Sequence, residues 1–355
     1  MRLLIRHRRD LVRKAAALRT QIREHLDAAF PGFAACFSAL WDRLCAWHLL
    51  RYFASPADLH AAGRAGLCHS LDAAAVRLHR PTLDTVRAWA APAAPPDRGA
   101  VAHRRCALAL DDDRRHKTQQ IQALERDIAA ALARTPYVLL LSFPGVNVVS
   151  AADFGGEMGP IDDYANARNI TGRAGLRPTR YQSDAVDRAN GPLLRCCNRT
   201  PRAAILRIAD NLIKCNHHCN VLGHRWQAQG KDARHTRVKV ALRFCRIAYQ
   251  MVAGQQVFRH PGLQGRHYIL DKLCAFHRAH DTAVPALLHD LQAALAQLPR
   301  PEYRAAAAPL HEELQRIQQG RRRGPQVLGD ILPLVLARLG VAELQSTASG
   351  EADPR

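Results

Sequence analysis

The chain has 355 residues, enough for two or three domains with a sizeable core, and 48% apolar content excludes a wholly disordered chain. Lys and Arg number 51 against 31 Asp and Glu, a formal charge of +20 carried mainly by arginine. That balance points to a polyanion, nucleic acid foremost, because a guanidinium fork grips phosphate oxygens in pairs.

A high-GC genome would also raise arginine and alanine, but it explains the net excess less well. The opening MRLLIRHRRD is not a secretory signal, and no run of about 18 apolar residues offers a membrane span. Ten cysteines without such a signal suggest reduced thiols and a cytoplasmic protein.

In chain order, residues 1–30 read as a helix, with Leu11, Ala15, Leu18, Ile22 and Leu26 at spacings of three and four. Pro31-Gly32 stops it. Its arginines form either an ordinary solvated face or a phosphate-contacting one. Residues 34–90 read as shorter helices with turns near Ser55-Pro56 and Arg80-Pro81, and APAAPPDRGA at 91–100 as an exposed connector. Residues 101–133 resume a long helix whose stripe of Ile121, Leu124, Ile128 and Leu132 suits helix–helix packing, within one chain or between two. Asp111-Asp112-Asp113 reads as a solvated stretch of it. The expected fold is mainly α. A helical, coiled-coil-like arm covers 1–134, a compact helix-hairpin-helix-like domain 135–258, and a helical extension with a polar, disordered tail 259–355. No internal repeat is evident.

The chemistry-bearing residues cluster in 137–254. The apolar run LLLSF ends at Pro144-Gly145, and a helix begins near Val148. This is the layout of a helix-hairpin-helix, where a glycine turn presents backbone N–H groups to phosphate; a plain helical connection is the alternative. The second turn position is Asn147, a residue that tolerates left-handed geometry. Asp153 and Glu157 fall four apart on that helix, as surface carboxylates or, less readily, as two ligands of a divalent metal. Residues 172–198 read as a basic loop with Arg173, Arg177, Arg180, Arg188 and Arg195, followed by Arg199 and Arg202. Tyr181 can stack or hydrogen-bond, and Ser183 sits mid-loop, where serine is usually a turn or cap residue. In KCNHHCN, Cys215 and Cys219 would share a helix face, but no second Cys/His pair completes a zinc site.

The run PGVNVVSAADFGGEMG, then GLRPTRYQS, then NRTPRAAILRIADN resembles the transposase domain of the IS-one-ten insertion-sequence family, also called IS-one-sixteen or IS-nine-oh-two. The matching places are Pro144-Gly145; Gly175, Leu176, Pro178 and Ser183; and Arg195, Asn198 and Arg202. The helix before Gly254 resembles the closing helix of that domain. The resemblance implies a transposase that cleaves and exchanges DNA strands, with Ser183 as the nucleophile. It implies DNA contacts from Gly145, Asn147, Arg173, Arg177, Arg180, Tyr181, Arg188, Arg195, Asn198, Arg199 and Arg202. It also implies a structured guide RNA as a partner, and self-association through the long helices is expected.

Departures from the pattern are Asp184 and Cys197 where glycine is usual, and Pro201 where leucine is usual. The family's N-terminal RuvC-like domain, with four carboxylates for divalent metal such as magnesium, is not recognisable. No cofactor is therefore expected in this chain, and metal only with that carboxylate domain. An active transposase completed by another chain and a non-catalytic nucleic-acid-binding remnant both remain open, beside an unrelated basic scaffold.

Overall fold

The computed structural model describes residues 1–92, 97–179, 181–183, 186–188, 193–258 and 268–298. Among them the fold is mainly α, as expected: twelve α-helices, short 3-10 turns and one two-stranded ribbon. Two compact units form. One is residues 8–121; the other is residues 1–7 with the described chain from 122 onward. The connector expected at 91–100 falls partly outside the described residues.

In the unit of 8–121, α1 (Arg2–Ala29) ends before Pro31-Gly32 as its sequence requires. Ile22, Leu26, Phe30, Phe33, Trp47 and Leu50 make a dry core with α2 (Leu44–Tyr52), α3 (Pro56–Ala73) and α4 (Arg80–Ala90). Ser55 caps α3 by accepting the Asp58 N–H at 3.1 Å, and Pro56 follows in the first turn. Arg80-Pro81, expected as a turn, instead opens α4, because a proline in a first turn forfeits no helical hydrogen bond. α5 (Arg98–Ala133) runs on from this unit into the other. Inside the first unit α1 and α5 meet at His25 and His103, whose Nδ1 atoms lie 2.8 Å apart.

The aspartate run of α5 differs from expectation. Asp112 and Asp113 are exposed, but Asp111 is fully buried. It lies 3.0 Å from Arg51, 2.6 Å from Arg114 and 2.8 Å from Arg115. Three guanidinium partners make that burial tolerable.

In the second unit the apolar run becomes a 3-10 helix, Pro136–Ser142, with Tyr137 to Ser142 all buried. A segment apolar on every side has no solvent face to present. α6 (Val148–Met158), α7 (Ala167–Arg173), α8 (Arg199–Cys215), α9 (His217–Ala228) and α10 (Ala233–Ala253) follow. α8 packs on α6, α9 and α10. Phe154 and Phe244 meet edge to face at 5.3 Å, with Tyr137 and Phe143 flanking them. α11 (Tyr268–Ala279) and α12 (Val284–Ala296) join the same unit, α11 against the 3-10 helix. His277 of α11 is buried, bonded to Thr282 Oγ1 at 3.1 Å and 3.4 Å from the Asp290 carboxylate of α12. Burial pushes His277 down to about 4 and raises Asp290.

Candidate nucleic-acid interface

The turn that opens α6 is drawn inward by its carbonyls. Gly145 sits at φ +92, and a side chain there would meet Leu212 of α8 at 3.0 Å. Asn211 Nδ2 donates to the Gly145 carbonyl, Asn216 Nδ2 donates to that of Pro144 at 3.0 Å, and Lys272 of α11 reaches three more. Asn147 is not left-handed, as was expected, but extended, at φ −108 and ψ 174. It caps α6: its side chain accepts from Ser150 N at 2.8 Å while Ser150 Oγ accepts from Asn147 N at 2.9 Å. A residue that completes a capping box must lie outside the helical and left-handed regions. The limb before the turn is a buried 3-10 helix, so the layout departs from two α-helices joined by a hairpin.

Asp153 and Glu157, expected at the surface, are buried on the inner side of α6. Arg6 of α1 grips Glu157 with both prongs, at 3.1 and 3.3 Å, and Arg207 of α8 reaches Asp153 at 3.1 Å. Periodicity places two carboxylates on one face but does not say which face is covered. Among the described residues no group of three or more His, Cys, Asp or Glu is placed to hold a metal ion. The residues present therefore do not fit such a site. Cys215 and Cys219 do not share a helix face either. Asn216 interrupts the helix between them, extended at φ −103, and caps α9 by accepting from Cys219 N at 3.1 Å. Cys215 is exposed, while burial pushes the Cys219 thiol up to about 11.

The segment read as a loop contains a β-ribbon. β1 (Tyr181–Ser183) pairs antiparallel with β2 (Val186–Arg188): Tyr181 opposite Arg188, Gln182 opposite Asp187, Ser183 opposite Val186. Ser183 therefore stands at the inner end of β1, next to the connection between the strands. Arg180 lies outside the described residues.

The ribbon's base is fixed by main-chain bonds. Pro178 bridges Leu193, and Leu194 N donates to the Arg177 carbonyl at 3.0 Å. Arg202 of α8 then donates to the carbonyls of Ala174 (2.8 Å), Gly175 (2.9 Å) and Leu194. Gly175, at φ +60, leaves the space in which Cys197 lies; a side chain at Gly175 would come within 2.5 Å of the Cys197 Cβ. Pro201 is the third residue of α8, inside the first turn, where its missing N–H does no harm.

The arginines divide by task. Arg173 bonds Tyr164 OH at 2.5 Å and the Met158 carbonyl at 3.3 Å, and Arg202 clamps the ribbon. Arg177, Arg195 and Arg199 are exposed. Asn198 caps α8 by accepting from Thr200 N at 3.1 Å, and the first turn of α8 holds Arg199 and Arg202 but no acid. Cations at a helix N-terminus oppose the helix dipole, an arrangement that an anion relieves. Residues that sequence reasoning missed are Arg6, Asn211, Asn216 and Lys272. The signal for Asn211 was an asparagine inside a helix, a poor helix former that earns its place by a side-chain bond.

Residues 137–221 match the model of the family described as Transposase IS116/IS110/IS902. The match takes in the 3-10 helix, the turn, α6, α7, the ribbon and α8, and ends inside α9; α10, likened to the family's closing helix, lies beyond it. No curated protein matches the chain. No helix among the described residues is long and apolar enough to cross a membrane.

Proposed function

We propose, with the transposase-family match across 137–221 as the premise, that this chain acts on DNA in transposition through the face formed by the ribbon and the start of α8. The observation that carries this is the group of exposed arginines, Arg177, Arg195 and Arg199, beside a helix N-terminus without acidic residues. Phosphate is the anion that suits such a face. Residues 137–258 carry 17 basic and 8 acidic side chains, so the excess lies in this part of the chain as well as in its arm. A structured RNA offers the same phosphates and is the second expected partner.

Ser183 is the proposed nucleophile. Its hydroxyl oxygen attacks a DNA phosphorus, forming a serine–phosphate ester and breaking the bond to one deoxyribose oxygen. The serine proton leaves and the departing oxygen takes one up. Arginines stabilise charge on the attacked phosphate. Asp153 and Glu157 are committed to arginines, so no step here runs through a metal. A divalent ion belongs to the scheme only with a carboxylate domain joined to it.

The test is covalent capture. The full chain, incubated with labelled duplex DNA and magnesium, is expected to give a protein–DNA adduct that survives denaturation. Ser183→Ala is expected to bind the duplex but give none. An adduct formed by Ser183→Ala overturns the nucleophile assignment. A wild-type chain that binds no duplex overturns the DNA reading itself.

A further inference from the structure

α11 lies outside the family-matched segment, yet it supplies the cation at the centre of the α6 turn. Lys272 is flanked by Leu270, Leu273 and Cys274, all buried, and its ammonium reaches inward. Nζ donates to the carbonyls of Leu141 (2.6 Å), Phe143 (2.9 Å) and Val146 (2.7 Å). An ammonium has three N–H donors, and three main-chain oxygens surround this one. A lysine head is costly to take from water, and these carbonyls offset that cost by standing in for hydration.

The arrangement has a directional consequence. Across a planar trans peptide, the carbonyl of one residue and the N–H of the next face opposite ways. Holding the carbonyls of Phe143 and Val146 toward Lys272, beside those of Pro144 and Gly145 toward Asn216 and Asn211, sets the direction of the N–H groups that open α6. Both asparagines lie within the matched segment; Lys272 comes from 51 residues beyond its end.

We infer that Lys272 is a positioning residue for nucleic-acid binding: an internal counter-cation that holds the turn of residues 141–147 in the form that meets a phosphate. The inference rests on the DNA reading above. It takes the C-terminal helices to be a working part of the DNA-binding unit. Without the ammonium, three inward carbonyls lose their donor, and the turn reorganises or admits a substitute cation.

The experiment uses the full chain and a fluorescent duplex. Lys272→Met keeps the length of the side chain and removes its charge; Lys272→Ala leaves a space that n-propylammonium can fill. Both variants are expected to bind the duplex about tenfold more weakly, the ratio that ~1.4 kcal/mol commands. n-Propylammonium is expected to restore Lys272→Ala, but not Lys272→Met, against sodium chloride at equal ionic strength. Amide exchange at Val148 and Val149 is expected to quicken in Lys272→Met while the far-ultraviolet spectrum stays native. Unchanged duplex binding by Lys272→Met, or no rescue of Lys272→Ala by the amine, overturns the inference and leaves the DNA reading standing. A wild-type chain that binds no duplex overturns both.

Discussion

Glu157 and Asp111 carry the same charge as dozens of surface residues, yet each is buried and tied to arginine. Their sequence neighbourhood does not announce this, because the partners, Arg6 and Arg51, lie 151 and 60 positions away. His277 is the residue whose burial has the plainest consequence for pH. Folded, it is held neutral down to about 4; unfolded, it takes a proton near its ordinary 6.5. As pH falls through that interval the unfolded chain binds the extra proton, so stability falls, by at most about 3 kcal/mol. Asp290, raised by burial, works in the opposite sense. The expected outcome is that denaturant midpoints fall between pH 6.5 and 4 in the wild type, and fall less in His277→Gln. Equal falls in the two proteins would discard His277 as the cause.

α1 and α5 were legible because each pairs a 3.6-residue apolar stripe with a plain stop or start. The start of α6 was legible from Pro144-Gly145, but not the role of Asn147, since a cap and a left-handed turn favour the same residue type. The ribbon was not legible: YQS and VDR are short, polar and without an apolar face, so nothing in them alternates. Pro201 was read as a disruptor and lies harmlessly in a first turn, a difference of one or two positions in the helix start. The basic loop was legible as charge, but its division into clamping and exposed arginines needed the contacts. That division is testable at the level of α8 and its approach. Each exposed arginine that neutralises a phosphate adds about 0.9 to the slope of log affinity against log salt. Arg195→Gln and Arg199→Gln are each expected to flatten the slope of duplex binding by about that amount. Slopes that match the wild type in both variants would move the DNA contact elsewhere.

The family-matched segment does not stand alone. The first turns of α1 hold α6 through Arg2 on the Gly156 carbonyl at 2.8 Å and Arg6 on Glu157. Phe258 N donates to Ser142 Oγ at 2.8 Å, and Lys272 fills the turn. A chain cut to residues 137–258 loses Arg6 from Glu157 and Lys272 from its carbonyls at once. It is expected to melt well below the full chain, or not to fold, by circular dichroism. A cut chain with the melting temperature of the whole would show that these outer contacts add nothing. The clamp at the ribbon's base bears on something else, the history such a chain can have. Arg202 recognises only main-chain oxygens, those of Ala174, Gly175 and Leu194, and every residue possesses such an oxygen. Mutational drift between those anchor points, including Asp184 and Cys197 in place of glycine, leaves the clamp its three acceptors. The ribbon is thus a replaceable cassette on a bracket indifferent to spelling, so a lineage could rewrite what it touches without relearning how to fold.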